Sequence, residues 1–217
     1  MTNYLRHNWY HVGGIIFAAL SFFYIFWGSS LSHIQGILLA SFMAMLIHQC
    51  EEYSWPGGFP SMSNIVMCEE KQAPDRYPFN ANQCWISNTF LTYAFYIIPI
   101  FLPHMIWLGL AQVILGMLQI LAHGVMLNIK LKSIYNPGLG ATVFLQWPIG
   151  IYYIHYVAVH GLVAGAGTYV IGILGAIAGA CILFLLPILV MRTRETKYPF
   201  YESELFGFAE KKIKARM

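Results

Sequence analysis

Long apolar runs alternate along the chain with short polar or proline-rich breaks. The runs cover about residues 12–27, 32–53, 85–102, 104–127, 139–159 and 162–191. Each approaches the ~20 residues that carry an α-helix across a bilayer. The pattern predicts an all-α, polytopic transmembrane helical bundle of about six spans, forming a single integral membrane domain over residues 1–217. Gly28-Ser29-Ser30 turns the chain between the first two spans, Pro99 and Pro103 between the third and fourth, and Asn136-Pro137-Gly138 opens the fifth. Pro148 is expected to kink the fifth span. Residues 54–84 make one long connection. Pro56, Gly57, Gly58, Pro60, Pro74 and Pro78 break any long helix there, and Trp55, Phe59, Tyr77 and Phe79 give it the character of a lid or interfacial flap. Gly175 and Gly179 stand four apart in the last span, a spacing that predicts close helix packing.

Composition agrees with this reading. The chain is 58% hydrophobic and 10% charged, against roughly 25% charged in a soluble domain. The net charge of +3 is no nucleic-acid signal, because the basic residues gather at the ends of the spans. Four cysteines without a CxxC pair exclude a zinc finger and a dithiol redox motif. The first apolar run lacks an A-x-A cleavage site and reads as an anchor. In a six-span arrangement Arg6, Lys130, Lys132 and the basic residues of the tail, 192–217, fall on one side. The positive-inside rule then puts both termini in the cytoplasm, in the cell (inner) membrane. Cys68 and Cys84 are expected to be free thiols there.

The chemistry concentrates where the second run ends, at His48-Gln49-Cys50-Glu51-Glu52. A helix turns about 100° per residue, so His48, Glu51 and Glu52 share roughly 100° of arc. Glu51 and Glu52 are the only formal charges inside a run, where charge is costly. His123 lies at a similar depth in the fourth span, and Asn88 and Gln119 lie near the same end of theirs. In Tyr135-Asn136-Pro137-Gly138, Asn136 reads as an N-cap and Pro137 as the first helical residue. The positive end of that helix, together with Tyr135, would favour negative charge. The expected site therefore holds a divalent metal such as zinc on His48, His123 and one of Glu51 and Glu52. The other glutamate would act as general base and Tyr135 as a catalytic donor. Asn88, Gln119, Asn136, Pro137 and Gly138 are the expected substrate-binding residues. His7 and His11, beside Trp9 and Tyr10, read as part of an interfacial aromatic belt.

His48, Glu51 and Glu52, then His123, then Tyr135-x-Pro137-Gly138, in that order, resemble the HXXEE-motif family of membrane proteins. The resemblance implies a shared site without naming a reaction. The pattern is also similar to that of prenyl-protein-processing intramembrane proteases, but Pro56 stands where those carry an arginine. The leading expectation is an integral membrane enzyme that performs metal-assisted hydrolysis or acid/base chemistry at the inner leaflet. Its partners would be membrane lipid and a small-molecule, lipid-like or amphipathic substrate. The alternative is a non-catalytic ion- or proton-coupled transporter or a metabolite-binding membrane protein.

Overall fold

Ser32 starts the second helix with a reciprocal cap. Its hydroxyl accepts the Gln35 amide at 3.3 Å, and the Gln35 side chain accepts the Ser32 amide at 3.0 Å. From there α2 (His33–Tyr53) runs through the middle of the bundle. In the computed structural model, which describes residues 1–217, it is joined by α1 (Thr2–Trp27), a short α3 (59–67), α4 (Ala81–Phe101), α5 (Ile106–Leu131), α6 (139–159) and α7 (Ala166–Met191). Two short helices, α8 (Glu202–Leu205) and α9 (Glu210–Lys214), follow, and there are no strands. Residues Thr2–Ser30, α2, α4, α5 and α7 are long and apolar enough to cross a membrane. The expected fifth span, α6, is helical throughout but less apolar, because Gln146, Pro148, three tyrosines and His155 interrupt it. Leu39, Phe42, Met45 and Leu46 of α2 form the main core with Tyr96, Leu115, Ala176 and Leu183.

Several boundaries differ from those the pattern predicts. The first helix starts at Thr2 instead of 12, since its early turns are buried against the tail: Trp9 and Tyr10 pack with Tyr53, Phe200 and Leu205. His7 is consequently buried, with Nδ1 2.7 Å from Glu204 Oε2, and is no part of an interfacial belt. Asn80 caps α4 by accepting the Gln83 amide at 3.0 Å, so the helix starts at Ala81, four residues ahead of the expected 85. The last long helix begins at Ala166, because Gly161 and Gly165 leave the preceding stretch unhelical. A π-helical turn, Thr142–Gln146, ends two residues before Pro148.

The long connection is not an open flap. Met62, Ile65 and Val66 of α3 are buried with Leu127, Leu131 and Ile213. Glu70 accepts the amides of Gln72 and Ala73 and the Arg194 guanidinium. The Arg194 guanidinium holds the Glu70 carboxyl below the usual carboxylate range. The tail, expected as a charged extension, folds back over this connection. Backbone bonds join Ala81 to Tyr198, Asp75 to Phe200 and Gly57 to Phe208. Both termini thus lie at the end of the bundle where α2 finishes, and all twelve Lys and Arg residues belong to segments at that end. All four cysteines are unpaired, Cys68 exposed and Cys84 buried.

Small residues let α7 approach its neighbours. A Cβ on Gly175 would lie 3.0 Å from the Ala111 Cβ, and one on Gly179 would lie 2.7 Å from the Phe95 ring. Gly179→Leu is therefore expected to lower the melting temperature in detergent, through overpacking worth about 1–3 kcal/mol. A melting curve that superimposes on the parent's would refute this contact.

Candidate functional site

The two glutamates that end α2 face different partners. Glu52 stands one turn below His48, and Glu51 is rotated about 100° away. His48 Nδ1 lies 2.9 Å from the carbonyl oxygen of Gly138, which Thr142 Oγ1 also approaches at 2.7 Å. A carbonyl only accepts, so this contact assigns the His48 proton to Nδ1 and leaves Nε2 as a lone pair. The same logic holds for His123. Its Nδ1 is 2.8 Å from Asn136 Oδ1, while the Asn136 amide nitrogen donates to the His123 carbonyl at 2.6 Å and to Asn128 Oδ1 at 2.7 Å. Asn136 Oδ1 is therefore the acceptor and His123 Nδ1 the donor, which leaves His123 Nε2 to face Glu52, as a lone pair when the ring is neutral and as a donor when it is protonated.

Both Nε2 atoms lie beside one oxygen. Glu52 Oε1 is 3.2 Å from His123 Nε2 and 3.6 Å from His48 Nε2, and the latter nitrogen has no hydrogen-bond partner. The rings stand 4.9 Å apart and nearly perpendicular. The three residues are 1%, 6% and 1% exposed for His48, Glu52 and His123, and their donor atoms lie within 4.8 Å of one another. Electron pairs brought together away from water repel unless a cation or proton lies among them. His48, Glu52 and His123 form a group that can hold a metal ion.

Local backbone irregularity builds the group. His123 lies in a π-helical turn, Leu121–Leu127, of the kind that recurs at functional sites. Gly138, at φ +100°, places its carbonyl against His48, and the His123 ring occupies the space a Cβ would need. Asn136 does not cap α6 and Pro137 is not its first helical residue; Gly138 is the N-cap. The Asn136 side chain is instead consumed in holding His123.

Glu51 is placed elsewhere. Its carboxylate accepts the Tyr135 hydroxyl at 2.7 Å and the amides of Gly140 and Ala141 at 2.9 and 2.7 Å. The start of α6 and Tyr135, expected to receive a substrate's negative charge, are occupied by Glu51. Burial and the adjacent carboxylate push the Tyr135 phenol up, which keeps it a donor.

A cavity of about 440 Å³ opens beside the group. Glu52, His48 and His123 line it, as do Asn88 and Gln119; Glu51, Tyr135, Asn136, Pro137 and Gly138 do not. A wider groove of about 600 Å³ at the far end, between Tyr24, His33 and Tyr152, has no acidic residue in its wall. Two contributors were missed in the sequence: Asn128 orients Asn136, and Arg192 lines the cavity. Thr142, on the inward polar side of the fifth span, shares the Gly138 carbonyl with His48. For Asn128 the available signal was spacing, eight residues before Asn136.

A family model described as "Protein of unknown function with HXXEE motif" matches residues 38–153, more than half of the chain. The matched stretch contains the three residues of the group and every residue that positions them. No curated protein and no solved structure matches the chain.

Proposed function

The chain belongs to the HXXEE-motif family, and we propose that it is a membrane enzyme whose centre is a divalent metal, zinc by preference, held by His48, Glu52 and His123. One observation carries the reading: two buried histidines, each with its Nδ1 proton fixed outward, bring both Nε2 atoms beside one carboxylate oxygen. Nδ1–H bonded to a backbone carbonyl or amide oxygen is the outer support typical of metal-bound histidine. Two histidines and one carboxylate are also a ligand set of catalytic zinc, which leaves a fourth position open. A metal held by these three residues would supply Lewis-acid chemistry for hydrolysis. The reaction class that fits is hydrolysis of an amphipathic substrate reached through the cavity.

Within that reading Glu51 acts by position. It fixes the first turn of α6, and with it the Gly138 carbonyl that orients His48. The gathering of every Lys and Arg at the site end supports a cytoplasmic orientation of that end and of both termini. Protein extracted without chelator should contain about one zinc per chain by elemental analysis, as expected of one His₂Glu centre. Protein that carries no divalent metal and takes none up on titration would reject the reading.

A second reading is an ion- or proton-coupled transporter. It is favoured by buried polar atoms without partners further along the bundle: Tyr96 Oη, both amide atoms of Gln146, and Gln112 Oε1. A Cβ on Gly116 would lie 3.3 Å from Tyr96 Oη and 3.6 Å from Gln146 Cδ, so these two side chains face one small space. Acid-driven flux in proteoliposomes, with no bound metal, would decide for it.

A further inference from the structure

The cavity is walled largely by α2, α4 and the 54–84 connection. It is completed by two helices that face each other across it: Gln119, Ala122 and Leu127 of α5, and Phe184, Ile188 and Arg192 at the end of α7. These helices press together only in their far halves, where a Cβ on Gly172 would lie 2.6 Å from the Leu110 Cβ. Toward the site they part. There α7 is tied to α4 instead: Ser87 donates to the Leu183 carbonyl, and Asn80 Nδ2 donates to the Met191 carbonyl at 3.1 Å. The cavity reaches into the resulting gap.

What surrounds the gap identifies where a ligand would come from. Leu121, Val125 and Met126 on α5, and Leu185, Leu186 and Leu189 on α7, are all exposed. Apolar residues exposed on spanning helices face acyl chains. The rim of the gap carries one cation, Arg192, whose guanidinium makes no hydrogen bond or ion pair, while its neighbour Arg194 is held by Glu70. An unpaired arginine where a span ends is matched by an anionic head group. The volume, about 440 Å³, suits one acyl chain with a small head and not a two-chain phospholipid.

We propose that the gap between α5 and α7 is a lateral portal through which a single-chain anionic amphiphile passes from the bilayer into the cavity. Its chain lies along Ala122, Phe184 and Ile188, and its anion lies at Arg192. The part of the molecule next to the anion then faces His48, Glu52 and His123. This rests on the metal-centre reading only for what happens afterwards; the portal and its ligand stand on the cavity alone.

The test uses the full chain in nanodiscs with a photoreactive palmitate analogue and its neutral alcohol counterpart. Labelled peptides from the palmitate probe should come from residues 119–127 and 184–192, and excess unlabelled palmitate should suppress them. Ile188→Trp fills the gap and should abolish that labelling. Arg192→Gln, at an exposed position, should weaken palmitate labelling about tenfold, as expected for one charge-assisted contact, and leave the alcohol probe unchanged. Label spread over lipid-facing residues such as Val170 and Leu174, without competition, would overturn the proposal. So would labelling that is indifferent to both substitutions. Zinc is measured on the same samples. Confined labelling without zinc defeats the metal centre and leaves the portal standing, and zinc with scattered labelling defeats the portal alone.

Discussion

Zinc affinity is expected to fall by more than ~100-fold in Glu52→Gln and in His123→Ala, since loss of a ligand exceeds the ~10–100-fold cost of losing an outer support. In Glu51→Gln, which is one step further out, it should fall by no more than the low end of that range, about tenfold. Glu52 supplies the only anion between the two Nε2 lone pairs, and glutamine would present a neutral group in its place. His123 supplies one of the two nitrogens. Glu51 touches neither ring. Its effect should appear in stability, because its carboxylate accepts three donors. A glutamine there turns its NH₂ toward at least one of them, a mismatch worth about 1–3 kcal/mol. Competition against a chromophoric chelator reads the affinities, and thermal melting in detergent reads the stability. Equal zinc loss in both glutamate variants would contradict the division of tasks between neighbouring carboxylates.

Gly138→Ala is expected to damage stability and metal binding together. The backbone there has φ +100°, which costs an L-residue about 1–2 kcal/mol. The added methyl would also enter the space of the His123 ring. The ring must swing away, which removes Nε2 from Glu52 and Nδ1 from Asn136. With overpacking of about 1–3 kcal/mol added, the total loss is about 2–5 kcal/mol. Gly167→Ala is the matching control: its Cβ would meet nothing within 4 Å. If Gly138→Ala melts with the parent and takes up zinc normally, Gly138 does not hold the two histidines in place.

Some of this was legible in the residues and some was not. Helical periodicity and the depth of each polar group bring His48, Glu52 and His123 together, because both depend only on position along a span. The separation of Glu51 from Glu52 was not readable. One helical step is about 100°, and which of two adjacent carboxylates meets a histidine depends on how α2 is rotated against α5 and α6. Asn136 illustrates a second limit. An asparagine before Pro-Gly suits an N-cap, but its side chain found better partners in His123 and Asn128, far from its own helix. Neither the burial of α3 nor the return of the tail has a periodic signature. Ile65, Val66 and Ile213 become a cluster only through long-range contact.

That cluster imposes an order on biosynthesis. Met62, Ile65 and Val66 emerge early, together with the connection they belong to, and Leu127 and Leu131 follow, but Ile213 is made only after the last spanning helix. Some 80 residues separate Leu131 from Ile213, so at roughly 5–20 residues per second the patch stays uncovered for about 4–16 s. During that interval α3 has only Leu127 and Leu131 of its cluster to pack against. A chain cut before Tyr198 would hold all its spanning helices and still lack the Ile213 side of this cluster, so α3 would keep one apolar flank open to whatever apolar surface it meets first.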